Sequence, residues 1–177
     1  MVAIQFRMDV GYPGAINRAH DATITSLPIG TAPPAGYGVM TAFDTVPISG
    51  AARAVVSTDT LVNFAGFYVR PFPTHGEGTS GTTMVNDPLG TSTPPTTGLA
   101  NLMKRGFMTV KLNAASPAVK RGDPIGIFIG TATTGNPAGG VTGAAPLAGS
   151  VIQLNLPNTF FMGPADAKGI VEIAYNL

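Results

Sequence analysis

The chain has no cysteine, no tryptophan and two histidines, and charged residues fill only 11% of its 177 positions. Without cysteine there is no disulfide framework, no thiolate nucleophile and no cysteine-type zinc site. Two histidines leave a closed zinc site short of ligands. No run approaches the roughly 18 consecutive apolar residues that cross a bilayer. The N-terminus, Met1-Val2-Ala3-Ile4-Gln5-Phe6-Arg7-Met8-Asp9, lacks a basic stretch followed by a long apolar one, so neither export nor membrane association is expected. Ten basic residues against nine acidic ones give a net charge of +1. No basic run is longer than the pairs Lys104-Arg105 and Lys120-Arg121. A nucleic-acid binder needs a basic stripe to neutralise several phosphates, so direct nucleic-acid binding is not expected.

Catalytic chemistry is equally thin. His20-Asp21 would serve as base and orienting carboxylate only if the two faced each other, and neighbours in a strand point to opposite faces. A polar loop or interface role is the expectation for His20. His75-Gly76-Glu77 supplies two ligands where a metal site needs three or four. Gly76-Glu77-Gly78-Thr79-Ser80-Gly81 matches the dinucleotide-binding glycine pattern, which has meaning only between a strand and a helix. Pro71 and Pro73 precede it and a poor helix former follows, so it reads as a loop. The seven Asp and two Glu are scattered, with no spacing that suggests a glycosidase pair and no EF-hand. The chain is expected to be no enzyme and to carry no metal or cofactor.

What the sequence does have is 23 Gly and 16 Pro spread along its length, and 44% hydrophobic residues. Both breakers oppose long helices. Between them lie short β-favouring runs at 37–46, 61–70, 107–112, 124–131, 151–156 and 169–175. Ile125, Ile127 and Ile129 repeat at every second residue, as do Val171, Ile173 and Tyr175. Thr109 and Lys111 alternate with bulky apolar neighbours. This period places one face on a core and the other toward solvent. Leu99, Leu102 and Met103 stand at helical spacing, so 98–105 reads equally as a short helix or an irregular strand. Loops are expected at 28–36, 71–98 and 131–149. The fold class is all-β, a β-barrel or jelly-roll-like sandwich with long Gly/Pro/Thr-rich loops and an extended N-terminal arm. Residues 1–36 are the arm and first β segment, and 37–177 the barrel body. So little charge favours contact with other protein surfaces, as in an assembly subunit.

Several stretches, in this order, resemble the tailed-phage capsid cement (decoration) proteins. They are Val10-Gly11-Tyr12-Pro13-Gly14-Ala15-Ile16-Asn17-Arg18-Ala19, Phe64-Ala65-Gly66-Phe67-Tyr68-Val69-Arg70-Pro71-Phe72-Pro73-Thr74, Arg105-Gly106-Phe107-Met108-Thr109-Val110-Lys111-Leu112, Lys120-Arg121-Gly122-Asp123-Pro124-Ile125, Pro157-Asn158-Thr159-Phe160-Phe161-Met162-Gly163-Pro164-Ala165-Asp166-Ala167 and Gly169-Ile170-Val171-Glu172-Ile173-Ala174-Tyr175-Asn176. The resemblance implies a β body on the outer capsid surface of a virion, synthesised in the host cytoplasm. It would bridge neighbouring subunits of the major capsid protein and associate with itself as a dimer or trimer. It implies no catalytic residues. A tail-associated or receptor-binding β domain is the competing reading; the absence of tryptophan speaks mildly against a carbohydrate platform.

The candidate capsid or subunit contacts are Gly11, Tyr12, Pro13, Gly14, Arg70, Pro71, Phe72, Phe160 and Phe161. In Gly11-Tyr12-Pro13-Gly14 the proline restricts the chain and the glycines permit close approach, with Tyr12 either an anchor on a partner or packed on its own domain. Arg70, held extended by the following proline, is expected in a structural salt bridge or a subunit contact. Lys120-Arg121-Gly122-Asp123-Pro124 reads as a turn entering a strand.

Overall fold

A computed structural model describes residues 11–44, 50–70, 94–143 and 153–176. These residues form nine strands: β1 (Thr23–Pro28), β2 (Met40–Phe43), β3 (Ala52–Ala54), β4 (Phe64–Tyr68), β5 (Leu99–Lys111), β6 (Pro124–Phe128), β7 (Val141–Gly143), β8 (Gln153–Phe161) and β9 (Ile170–Asn176). Two 3-10 turns, Ala19–Asp21 and Leu61–Asn63, are the only helical elements among the described residues. The expected all-β class is what the chain adopts, as one curled antiparallel sheet in the form of a half-barrel. The order is β3-β2-β4-β5-β9-β8-β6-β7, with β1 paired to β5.

The sheet is organised around β5, which has partners on both edges along most of its length. Met103 is opposite Ile24 of β1 and Phe67 of β4, and Met108 is opposite Ile173 of β9 and Ile16 of the N-terminal segment. The segment 98–105, open between helix and strand in sequence, is the first half of this strand. Its apolar spacing is not periodic because both faces are buried: Ala100 and Leu102 enter one core, Met103 the other. Gly106, at φ +136°, then reverses the phase. Beyond it Met108 and Val110 face the same core as Met103. A Cβ at Gly106 would stand 3.0 Å from the Ala22 Cα, so the close approach of the chain after the first turn also requires glycine.

The larger core takes Phe64, Phe67, Met103, Met108, Phe161 and Tyr175, with Ile125, Ile127, Ile129, Val171 and Ile173 among the aliphatic residues. The period-two runs of β6 and β9 therefore point inward as their spacing predicts. Phe67 meets Tyr175 edge-on, ring centroids 4.8 Å apart. Each such aromatic or branched side chain contributes roughly 1.5–3 kcal/mol on burial. The smaller core holds Ile29, Ala52, Ala65, Tyr68, Ala100 and Leu102. β4 is buried at all five residues because it forms a wall between the two. Around the smaller core the pairings run β1–β5–β4–β2–β3 and return to the chain just after β1, where Gly30 N–H donates to Ala52 (2.8 Å) and Ala54 N–H to Ala32 (2.7 Å).

Three strands escape the sequence pattern. β1 is exposed at five of its six residues and so lacks an apolar alternation. β3 and β7 have three residues each, too few for a period, and β7 lies inside the expected loop 131–149. The turn expected at Lys120–Asp123 is present: Lys120 N–H donates to the Asp123 carboxylate at 2.9 Å, and β6 starts at Pro124.

Candidate docking surface

His20 and Asp21 lie in a 3-10 turn rather than a strand, and their side chains do approach, at 3.4 Å. That corrects the expectation that they point apart. The His20 side chain is 82% exposed and faces solvent, so the pair is a surface contact. His75 and the glycine-rich motif at 76–81 lie outside the described residues. Among the described residues no group of three or more His, Asp or Glu could hold a metal ion, and no helix is long and apolar enough to cross a membrane.

The Gly11-Tyr12-Pro13-Gly14 turn is fastened to its own sheet. Gly14 N–H donates to the Thr109 carbonyl at 2.8 Å, Thr109 N–H to Ala15 at 2.9 Å and Asn17 N–H to Phe107 at 3.1 Å. The Thr109 hydroxyl donates to the Tyr12 carbonyl. This explains why Thr109, expected on the solvent face, is fully buried. Gly14 sits at φ +82°, and a Cβ there would be 2.7 Å from the Tyr37 Cβ and 3.0 Å from the Arg70 nitrogen. Arg70 N–H in turn donates to the Gly14 carbonyl at 2.8 Å.

The Arg70 side chain is buried, and its guanidinium carbon lies 5.1 Å from the Tyr37 ring centroid and 5.7 Å from that of Tyr12. Both distances are within cation–π range. Tyr37 continues the stack to Tyr68, centroids 5.1 Å apart. Burial, and to a lesser degree Tyr37, pushes the Tyr68 phenol above its ordinary range. Arg70 thus locks the turn to the body while Tyr12 remains 43% exposed at the outer end.

Phe160 and Phe161 separate as strand neighbours must. Phe161 is fully buried in the larger core, and Phe160 is 45% exposed. Only Phe160 of the two can meet a partner without unfolding. Pro71 and Phe72 lie outside the described residues.

The run expected as a strand at 61–70 begins as a 3-10 turn, Leu61–Asn63, with β4 starting only at Phe64. Sequence reading did not single out residues 55–60, which lead into it as one segment, 55–63. Its anchor is an ion pair: Arg53 donates to both carboxylate oxygens of Asp59, at 2.8 and 2.6 Å, and both side chains are largely buried. Val56 N–H adds a 2.8 Å bond to the same carboxylate, and Asp59 N–H returns to the Val56 carbonyl at 3.0 Å. Burial pushes the Asp59 carboxyl up, but the hydrogen bonds from Arg53 and Val56 and the Arg53 charge outweigh it and hold it below its ordinary value. In the next turn, Asn63 Oδ1 accepts from the Thr60 N–H (3.0 Å) and the Thr60 hydroxyl (2.9 Å), while Asn63 N–H donates to the Thr60 carbonyl (3.0 Å). This framework holds Val56, Leu61 and Val62 in solvent, Val62 at 87% exposure. The sequence cue was available in Arg53, Asp59 and the Thr60/Asn63 pair, but the three exposed aliphatics Val56, Leu61 and Val62 carry no periodic pattern.

The match to known proteins agrees with this non-catalytic surface. Residues 1–175 match the family described as the XM1 gp53 minor capsid protein. The chain belongs to that family. It is therefore a structural component of a virion capsid and not an enzyme. No curated protein matches. Among solved structures, a chain of "The capsid of Myoviridae Phage XM1" shares the fold, with a TM-score of 0.66 at 17% identity over 98% of this chain and 95% of that one. Of the resemblance to capsid cement proteins, the family match supports the coarser part, a minor component of a phage capsid.

Proposed function

We propose that this minor capsid protein acts as a cement. It sits on the outer surface of the shell, bridges neighbouring subunits of the major capsid protein, and works as a dimer or trimer. The observation that carries the reading is Val62, held in solvent by a loop whose own anchor is a buried bidentate ion pair. An ordinary exposed valine needs no support. Here the backbone around it is fixed in advance, so docking costs little ordering entropy. Burying Val62 and Leu61 in an apolar recess would contribute roughly 1.5–3 kcal/mol each, and symmetry multiplies a modest contact over the shell. Tyr12 and Phe160 are further half-exposed aromatic anchors, the residue type that dominates interfaces. The test is co-sedimentation of purified protein with expanded capsids that lack it. Saturable binding at a fixed ratio to the major capsid protein, with a raised capsid melting temperature, is the expected result. Absence of binding to such capsids contradicts the cement role.

A further inference from the structure

We infer that β1 is a homotypic pairing edge: two copies of this chain join antiparallel through Ile24-Thr25-Ser26 about a two-fold axis at Thr25. This rests on the homo-oligomeric part of the proposed function and assigns it an interface. Antiparallel strands turn alternate residues toward alternate edges. Ile29 N–H donates to Gly98, the residue before β5, at 2.9 Å, so Leu27 and Thr25 also bond toward β5. Gly30 N–H donates the other way, to Ala52, at 2.8 Å, so Ser26 and Ile24 face that second edge. Beyond residue 30 the edge is covered by β3. Over Thr23–Pro28 no described segment pairs with it.

The composition of this edge is what a homotypic contact requires. Exposed edges are ordinarily guarded by lysine, proline, a bulge or an inward charge. Here a register shift between Thr23 and Ile24 and a proline at Pro28 stand at the two ends and leave Ile24-Thr25-Ser26 between them. Thr23-Ile24-Thr25-Ser26-Leu27-Pro28 has no charge, is rich in β-branched residues, and carries a half-exposed Ile24. Around a two-fold at Thr25, Ile24 of each copy is opposite Ser26 of the other. Each such pair exchanges two bonds, N–H of one to C=O of the other, which makes four across the axis. No like charges meet. Pro28 has no N–H to donate, and Ala22 N–H is committed to Ala19 (3.3 Å), so the pairing stops on both sides and the register is fixed. A second copy satisfies these donors and acceptors with an identical set.

The register supplies its own test. At the axis the two Thr25 side chains are directly opposite, and Thr25 is exposed, so a charge there leaves the monomer intact. Sedimentation equilibrium is expected to show a wild-type dimer. Thr25→Lys and Thr25→Glu are each expected to weaken it at least about tenfold, and an equimolar mixture of the two to restore it, since like charges directly opposite destabilise a strand pair and unlike charges stabilise it. At a concentration low enough to dissociate the wild-type dimer, melting temperatures of both variants should match wild type, because association itself raises the melting temperature. A wild-type monomer at the highest concentration, a trimer, or variants that dimerise like wild type would each overturn the edge. Capsid co-sedimentation of the same variants separates the outcomes: monomers that bind with wild-type stoichiometry leave the cement role standing.

Discussion

Two surface segments of this molecule are equally well bonded and put their bonding to opposite use. In residues 11–17 the backbone pairs with β5, Gly14 nestles against Tyr37, and Arg70 stacks between Tyr12 and Tyr37. The network closes on the protein's own sheet. In residues 55–63 the network runs beneath the loop, from Arg53 to Asp59 and from Thr60 to Asn63; Val55 enters the larger core, while Val56, Leu61 and Val62 point away. Dense hydrogen bonding therefore does not by itself separate a structural segment from a docking one. Where the apolar groups end up does.

The first way to sharpen the contrast is Gly14→Ala. With φ +82° and backbone on two sides of the new Cβ, it should destabilise the fold by about 3–4 kcal/mol. Gly122→Ala is the control: φ is +87° but nothing lies within 4 Å, so the cost should stay near 1 kcal/mol. Chemical denaturation of the pair measures both. Equal costs would show that the turn is not packed as described.

Asp59→Ala should follow at about 3 kcal/mol, because it strands a largely buried guanidinium. The same pair makes a pH prediction. Asp59 has its folded pKa below its ordinary value. Its stabilisation is then fully present above the unfolded value of about 3.9 and is lost as pH falls through the lower folded pKa. Wild-type stability should drop across that acid window more steeply than Asp59→Ala stability does. Parallel curves would contradict the brace.

Much of this was legible in the residues. Ile125/Ile127/Ile129 and Val171/Ile173/Tyr175 announced two core strands because each has one buried face and a clean period of two. The turn before β6 was legible in Lys120-Arg121-Gly122-Asp123-Pro124. The second half of β5 was legible as the run 107–112, but its first half, 98–105, was not: both faces are buried there, so adjacent Leu102 and Met103 enter different cores, and Gly106 shifts the phase between the halves. Tyr12 and Phe160 were found as exposed aromatics, while Phe161, coupled to Phe160 by sequence, was separated from it by strand alternation. Val62 fell inside the expected strand 61–70, and a single exposed valine has no pattern to set it apart. Its significance comes from Arg53 and Asp59, whose bond is a fact of three dimensions.

The smallest effect on the fold belongs to Val62→Asp. At 87% exposure the substitution should change stability by no more than about 0.5 kcal/mol, yet it puts a charge at the tip of the proposed contact. The most direct measurement is therefore the affinity of wild-type and Val62→Asp protein for expanded capsids lacking it, with melting temperatures taken alongside. The account predicts unchanged melting and at least about tenfold weaker binding, since 1.4 kcal/mol of lost contact suffices for that factor. Binding of Val62→Asp equal to wild type would contradict the claim that this braced loop holds the protein to the shell.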